Sequence, residues 1–144
     1  MIARLAAASV AGGIAFFVLG YLIYGLVLDP MFMRPALTPE AKAIMKEMPD
    51  FVPLVLSNIV SALLYAVIFD RWAGIRTFMG GLQGGAIIMF LFTLSLDLSF
   101  MAFMKLYTGY TPFVLDMIGA TLMGAIGGGV IGMVLGLMHK EPAS

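Results

Sequence analysis

"LSLDLSF", residues 94 to 100, alternates apolar residues with small or polar ones, and a period of two reads at first as a β-strand. Its surroundings decide otherwise. From Thr77 to Met104 the chain carries no charge except Asp97. A run of that length suits a spanning helix, which needs about 20 apolar residues at about 1.5 Å each to cross about 30 Å of hydrocarbon. An unclosed strand in lipid would leave its backbone N–H and C=O groups unpaired, whereas a helix satisfies them internally. The stretch is therefore the far end of a long transmembrane helix that holds a single carboxylate.

The rest of the chain repeats the pattern. Of 144 residues, 62% are hydrophobic and 11% charged, whereas soluble domains are about 45 to 50% apolar and about 25% charged. This composition belongs to an integral membrane protein in contact with the lipid bilayer. Three further runs are long enough to span, giving spans at about residues 5–28, 51–69, 77–104 and 112–138. The first, preceded by Arg4, exceeds the core of a signal peptide and is read as a retained span. Short connections, "DRWAGIR" and "KLYTGYT", make consecutive helices antiparallel neighbours. The expected fold is all-α: one integral membrane domain over residues 1–144, with four transmembrane helices in an up-down bundle and both termini on one side.

The long first loop contains its own element. Thr38 and Pro39 form an N-cap and first-turn pair, and Ala41, Ile44, Met45 and Met48 fall on one helical face. A short amphipathic helix over about residues 39–48 is expected at the membrane surface, ended by Pro49, with Asp50 capping the second span and Thr111 capping the fourth. Basic residues divide evenly between the faces: Arg4, Arg71, Arg76 and Lys140 against Arg34, Lys42, Lys46 and Lys105. Because Arg71 and Arg76 sit in a very short loop, both termini are placed in the cytoplasm.

Several function classes drop out. Eight basic and eight acidic side chains cancel, which gives no basic footprint for nucleic acid. The chain has no cysteine and one histidine, His139, beyond the last span, so thiol chemistry, histidine metal sites and two-histidine haem ligation lack their ligands. No cofactor and no metal is expected, and no catalytic signature is present.

Small residues set the packing. Ala120, Gly124, Gly128, Gly132 and Gly136 recur every four residues along the fourth span, and Gly80 with Gly84, and Gly81 with Gly85, repeat the spacing in the third. In lipid, helices associate through such close backbone approach, so this stripe serves packing within the bundle or an interface between copies of the chain.

The topology gathers polar groups at one end: Asp29 closing the first span, Ser57 and Asn58 about two turns into the second, Asp97, Asp116 in the first turns of the fourth, and Tyr21, Tyr24, Tyr107 and Tyr110. Ionisable groups inside a membrane are costly and rare, which makes Asp97, Asn58, Asp29, Asp116, Tyr24 and Tyr107 ligand-binding candidates. Asp97 lies below the surface, at most about 12 Å inside an interface marked by Lys105. Thr93 and Asp97, and Ser95 and Ser99, stack at i,i+4 as a polar flank. Interfacial punctuation by Asp29 and Asp116, an aromatic belt for the tyrosines, and structural pairing of Asp97 are the bland alternatives. Sliding the chain by 68 residues aligns Gly12, Gly13 and Asp29 with Gly80, Gly81 and Asp97, as a tandem two-span repeat would.

"FVLGYLIYGLVLDPMFM", followed by "LTPEA" and three further spans, resembles a family of small four-span bacterial inner-membrane proteins classed as a domain of unknown function. That family carries a Gly-x-x-aromatic-Tyr motif late in the first span, and Gly20 to Tyr24 matches it with Ile23 at the aromatic position. The resemblance implies the bacterial inner membrane and no reaction.

Three functions fit these residues. One is a small transporter or channel with a polar pocket near one face. Another is a non-catalytic subunit or assembly partner of a larger membrane complex, or a homo-oligomer, with 13 methionines as adaptable contact surface. The third, an intramembrane hydrolase with Asp29 and Asp97 as a dyad, requires the two carboxyls to share a site.

Overall fold

A computed structural model describes residues 1–139 and shows an all-α chain. Five helices follow in order: α1 (Ile2–Ala36), α2 (Pro39–Ile44), α3 (Phe51–Ala73), α4 (Phe78–Phe103) and α5 (Thr111–Met138). All but α2 are long and apolar enough to cross a membrane. The expected four-span, all-α architecture is present, with lipid as the natural surround of its exposed apolar faces. Lys140 lies outside the described residues.

The helix ends refine the sequence reading. α1 continues past the expected end at Leu28 to Ala36. From Tyr21 to Met33 its turns widen to the π type and hold Pro30 inside the helix. A wide turn relieves the clash between a proline ring and the preceding turn that would break a regular α-helix. α2 is shorter than expected, because Met45 is already extended and Pro49 disfavours helix in the residue before it. Thr38 caps α2 as expected, its Oγ accepting from the Ala41 N–H at 3.3 Å. Of the apolar face expected on this segment only Ala41 is buried, while Ile44, Met45 and Met48 are exposed.

Two expected caps are absent. Asp50 precedes α3 but gives its carboxylate to Lys46, and Thr111 is the first residue of α5, with Tyr110 at the cap position. Thr77 caps α4, accepting from the Gly80 N–H at 3.0 Å. Gly74 closes α3 in the left-handed region at φ 64°, and the Ile75 N–H returns to the Phe69 carbonyl at 2.9 Å. That closure is a left-handed helix cap for which glycine carries no Cβ penalty.

α5 is the hub. Half of its most apolar stretch is buried, against 17% in α1 and α3 and 11% in α4. α4 lies along one side of α5 and α1 along another, and α3 packs mainly on α1. Consecutive spans are therefore neighbours, as expected, except that α3 and α4 do not pack along their lengths. Their contact is at the turn, where Phe69 and Ile75 sit over Gly84.

Glycine permits these approaches. A Cβ on Gly81 or Gly85 would collide with the backbone carbonyls of Gly128 and Gly124, and one on Gly132 or Gly136 with the carbonyls of Thr77 and Arg76. The α4–α5 contact is thus backbone against backbone. Gly80 instead faces Thr77 and Ile75 of the preceding turn, and Gly84 takes Phe69 and Ile75, so it is the Gly81–Gly85 pair that faces α5. Ala120 is buried. Elsewhere larger side chains fill the core: Phe16, Tyr65 and Phe69 stack edge to face, with Ile131 and Leu135 fully buried beside them. Phe16 fits because Gly127 gives it room.

Candidate functional site

At the end where α1 finishes and α5 begins, three helices bring polar groups together. Gly119, one turn beyond Asp116, makes this convergence feasible. A Cβ there would lie 2.7 Å from Leu28 and 3.0 Å from Ile23, so its absence lets the wide-turn part of α1 press against α5. The Tyr24 hydroxyl then reaches Asp116, donating to Oδ1 at 2.6 Å and lying 3.1 Å from the backbone carbonyl. Such a charge-assisted O–H···O⁻ bond is short and strong.

Asp97 arrives from α4. Its side chain turns inward with Thr93, both buried, and its carboxyl lies beside that of Asp116. Asp97 is 5% exposed, and its Oδ2 is fully buried without a hydrogen-bond partner. Among the described residues no lysine or arginine forms an ion pair with either carboxyl. A buried carboxylate with neither cation nor donor is the costly arrangement that proteins avoid unless something else occupies it.

Tyr107 covers the cluster from the loop between α4 and α5. The loop is tied to the chain after α1 by a single β-bridge, Leu37 to Tyr107, through the Thr38 N–H to Leu106 carbonyl bond at 3.0 Å and the Thr108 N–H to Ala36 carbonyl bond at 2.8 Å. The Thr38 hydroxyl donates to the Lys105 carbonyl at 2.6 Å. Burial, and then the neighbouring carboxylates of Asp116, Asp29 and Asp97, push the Tyr107 hydroxyl above the usual phenol range. Tyr107 also packs edge to face on Phe113, ring centroids 5.2 Å apart, and lines a groove of about 520 Å³ with Met101, Met104, Lys105 and Tyr110.

Other candidates fall elsewhere. Asp29 is partly exposed and paired with Arg34, Oδ2 to Nη2 at 2.9 Å, whereas Asp97 is buried without an ion pair, so the two residues aligned by the 68-residue shift occupy different surroundings. Asn58 returns its amide to the Leu54 carbonyl at 2.9 Å, and Ser57 does likewise, because α3 packs on α1 and not on α4. Ser95 and Ser99 are exposed, with Ser99 bonded back to Ser95, so the polar flank of α4 divides into a buried half and an outward half. Tyr21 and Tyr110 are exposed.

A second polar centre, at the opposite end, was not legible in the sequence. Asp70, taken there as part of a connecting loop, lies in the last, widened turn of α3 with no side-chain exposure. It accepts from Arg4 at 2.9 Å and from Arg76 at 3.2 Å, joining the start of α1, the end of α3 and the turn before α4. The only sequence signal was one acidic residue at a helix end followed by Arg71 and Arg76. No cluster of histidine, cysteine and carboxylate residues suited to a metal ion occurs among the described residues. No protein-family model, curated protein or solved structure matches the chain.

Proposed function

We propose that this four-span membrane protein is a small transporter or channel, and that the Asp97–Asp116–Tyr24 cluster handles its ion or solute near one membrane face. The observation that carries this reading is the buried, unpartnered Oδ2 of Asp97 beside a second carboxyl. Intramembrane carboxylates without a cationic partner mark ion and proton pathways more often than they mark packing. The groove lined by Tyr107 lies at the same end of the bundle. Purified protein in sealed liposomes, with an internal pH or cation dye and an imposed membrane potential, should show flux that Asp97→Asn abolishes. Equal flux in the wild type and the variant refutes the reading.

A second reading, as subunit of a larger complex, has its own support in Ile44, Met45 and Met48, apolar side chains left exposed outside the spans. Purification in mild detergent would then recover a partner in fixed ratio, lost on Ile44→Ser with Met48→Ser. Recovery of the chain alone argues against it. The small-residue stripe of α5 gives less support to a homo-oligomer, because Gly124, Gly128, Gly132 and Gly136 are already covered by α4 and the turn before it.

A further inference from the structure

We propose that the facing carboxyls of Asp97 and Asp116 form a binding site for one exchangeable proton, loaded from the groove at Tyr107. The inference rests on the reading of this cluster as the ligand-handling site and names its ligand.

The argument is one of unmet hydrogen bonds. Asp116 has its donor, the Tyr24 hydroxyl, at 2.6 Å. Asp97 has none for Oδ2, and the group beside it is another carboxyl, which as an anion can only accept. Two ionised carboxylates side by side out of water repel with nothing to offset them, whereas one proton converts the same contact into a short O–H···O⁻ hydrogen bond. In that form Asp97 donates to Asp116, and Asp116 accepts from Asp97 and Tyr24 together.

The groups that face the pair are consistent with this ligand. From α1 comes Tyr24 and from α5 Asp116; from the loop over the end comes Tyr107, itself within reach of Asp29, which is paired with Arg34, and Lys105 in the groove makes no ion pair with either carboxyl. α4 adds no further titratable side chain near Asp97, and the inward-facing neighbour one turn earlier is Thr93. Among the described residues no group of three or more His, Cys, Asp or Glu side chains gathers here to hold a metal ion. A proton needs only the two carboxyls. Loading takes a proton from hydronium in the groove, leaves water there and forms the O–H bond on Asp97; release returns it to water and leaves both carboxylates charged. Tyr107 lines the groove and lies within electrostatic reach of both carboxyls, which places it between the groove and the pair.

Infrared difference spectroscopy of the protein in lipid, titrated from neutral to alkaline pH, tests the site without relying on transport. A protonated-carboxyl C=O band should be present at neutral pH, where an ordinary carboxyl is ionised. It should shift in heavy water and vanish as pH rises. Asp97→Asn keeps a donor toward Asp116 and should remove the band, Asp29→Asn should leave it, and Tyr24→Phe, which retains both carboxyls, should displace it. Absence of any such band at neutral pH in the wild type, or its survival in Asp97→Asn, overturns the proposal. A band that behaves as expected in a protein without flux would sink the transport reading and leave the proton site standing.

Discussion

Replacing Gly85 with alanine tests the backbone contact that holds α4 to α5. The new Cβ would collide with the Gly124 carbonyl and stand 2.9 Å from the Gly128 Cα, whereas carbon atoms in contact prefer about 3.5 to 4.0 Å. The obstacle is backbone on a helix packed from several sides, so α4 must move out by roughly 1 Å, which forfeits a quarter to a half of the dispersion energy along that seam. Overpacking of this kind costs about 1–3 kcal/mol, and the better helix propensity of alanine returns about 1 kcal/mol. The net loss is about 0–2 kcal/mol, and about 1–3 kcal/mol relative to a glycine-to-alanine change that gains propensity alone. Gly20→Ala provides the control. Its Cβ would meet nothing nearer than the Met123 Sδ at 3.8 Å, an ordinary contact, so only the propensity gain applies. Unfolding of both variants in mixed micelles by added denaturing detergent gives the comparison. If Gly85→Ala is as stable as Gly20→Ala, the close approach of α4 and α5 is wrong.

Three further outcomes follow from the polar groups. Asp70→Asn leaves Arg4 and Arg76 facing each other without a counter-charge and should destabilise by about 3–5 kcal/mol in the same assay, whereas Asp29→Asn, which breaks the half-exposed pair with Arg34, should cost under about 1 kcal/mol. Tyr24→Phe removes a hydrogen bond to a charged acceptor and should cost about 1.5–3 kcal/mol, seen as an earlier detergent midpoint. The raised Tyr107 hydroxyl favours the neutral phenol in the folded state, so its contribution is complete below the ordinary value of about 10 and is lost as pH rises through the folded value. Tyr107→Phe should therefore flatten the alkaline limb of a stability profile against pH, and an unchanged limb would exclude Tyr107 as its source.

The sequence made the spans legible because hydrophobic length is a one-dimensional property. α4 begins and ends within one residue of the expected run, and α5 likewise. Where the reading fell short, a three-dimensional contact decided. The end of α1 depends on a widened helix that tolerates Pro30, which no apolar count reveals. Asp97 and Asp116 were both visible as candidates, but 19 positions apart on different helices their pairing needed the register of α4 on α5, fixed by Gly81 and Gly85 and not by Gly80 and Gly84. Asn58 was included through topology alone, on the assumption that all four spans meet at that end. α3 packs on α1 instead, so its amide satisfies itself on its own helix. Asp70 escaped because a loop aspartate followed by Arg71 and Arg76 looks solvated in sequence and becomes a buried junction only when Arg4 comes from the far end of the chain.

These contacts divide the work between two kinds of interaction. Lipid tails are as apolar as the helices, so hydrophobic burial cannot choose which faces meet. Glycine backbones fix the distance between α4 and α5 and leave the ends of the helices to be joined by polar groups. At one end opposite charges make the join, because Asp70 receives a guanidinium on each oxygen, while the Nε atoms of Arg4 and Arg76 stay unpartnered. At the other it is incomplete, because Asp97 adds a second carboxyl where a donor would be needed and no cation answers it. α1 takes part in both, through Arg4 and Tyr24, with its widened turns beginning at Tyr21 between them. Opposite charges meet at the Asp70 end and two carboxyls meet at the Asp97 end, so on the proposed protonation it is the second end whose packing should respond to pH.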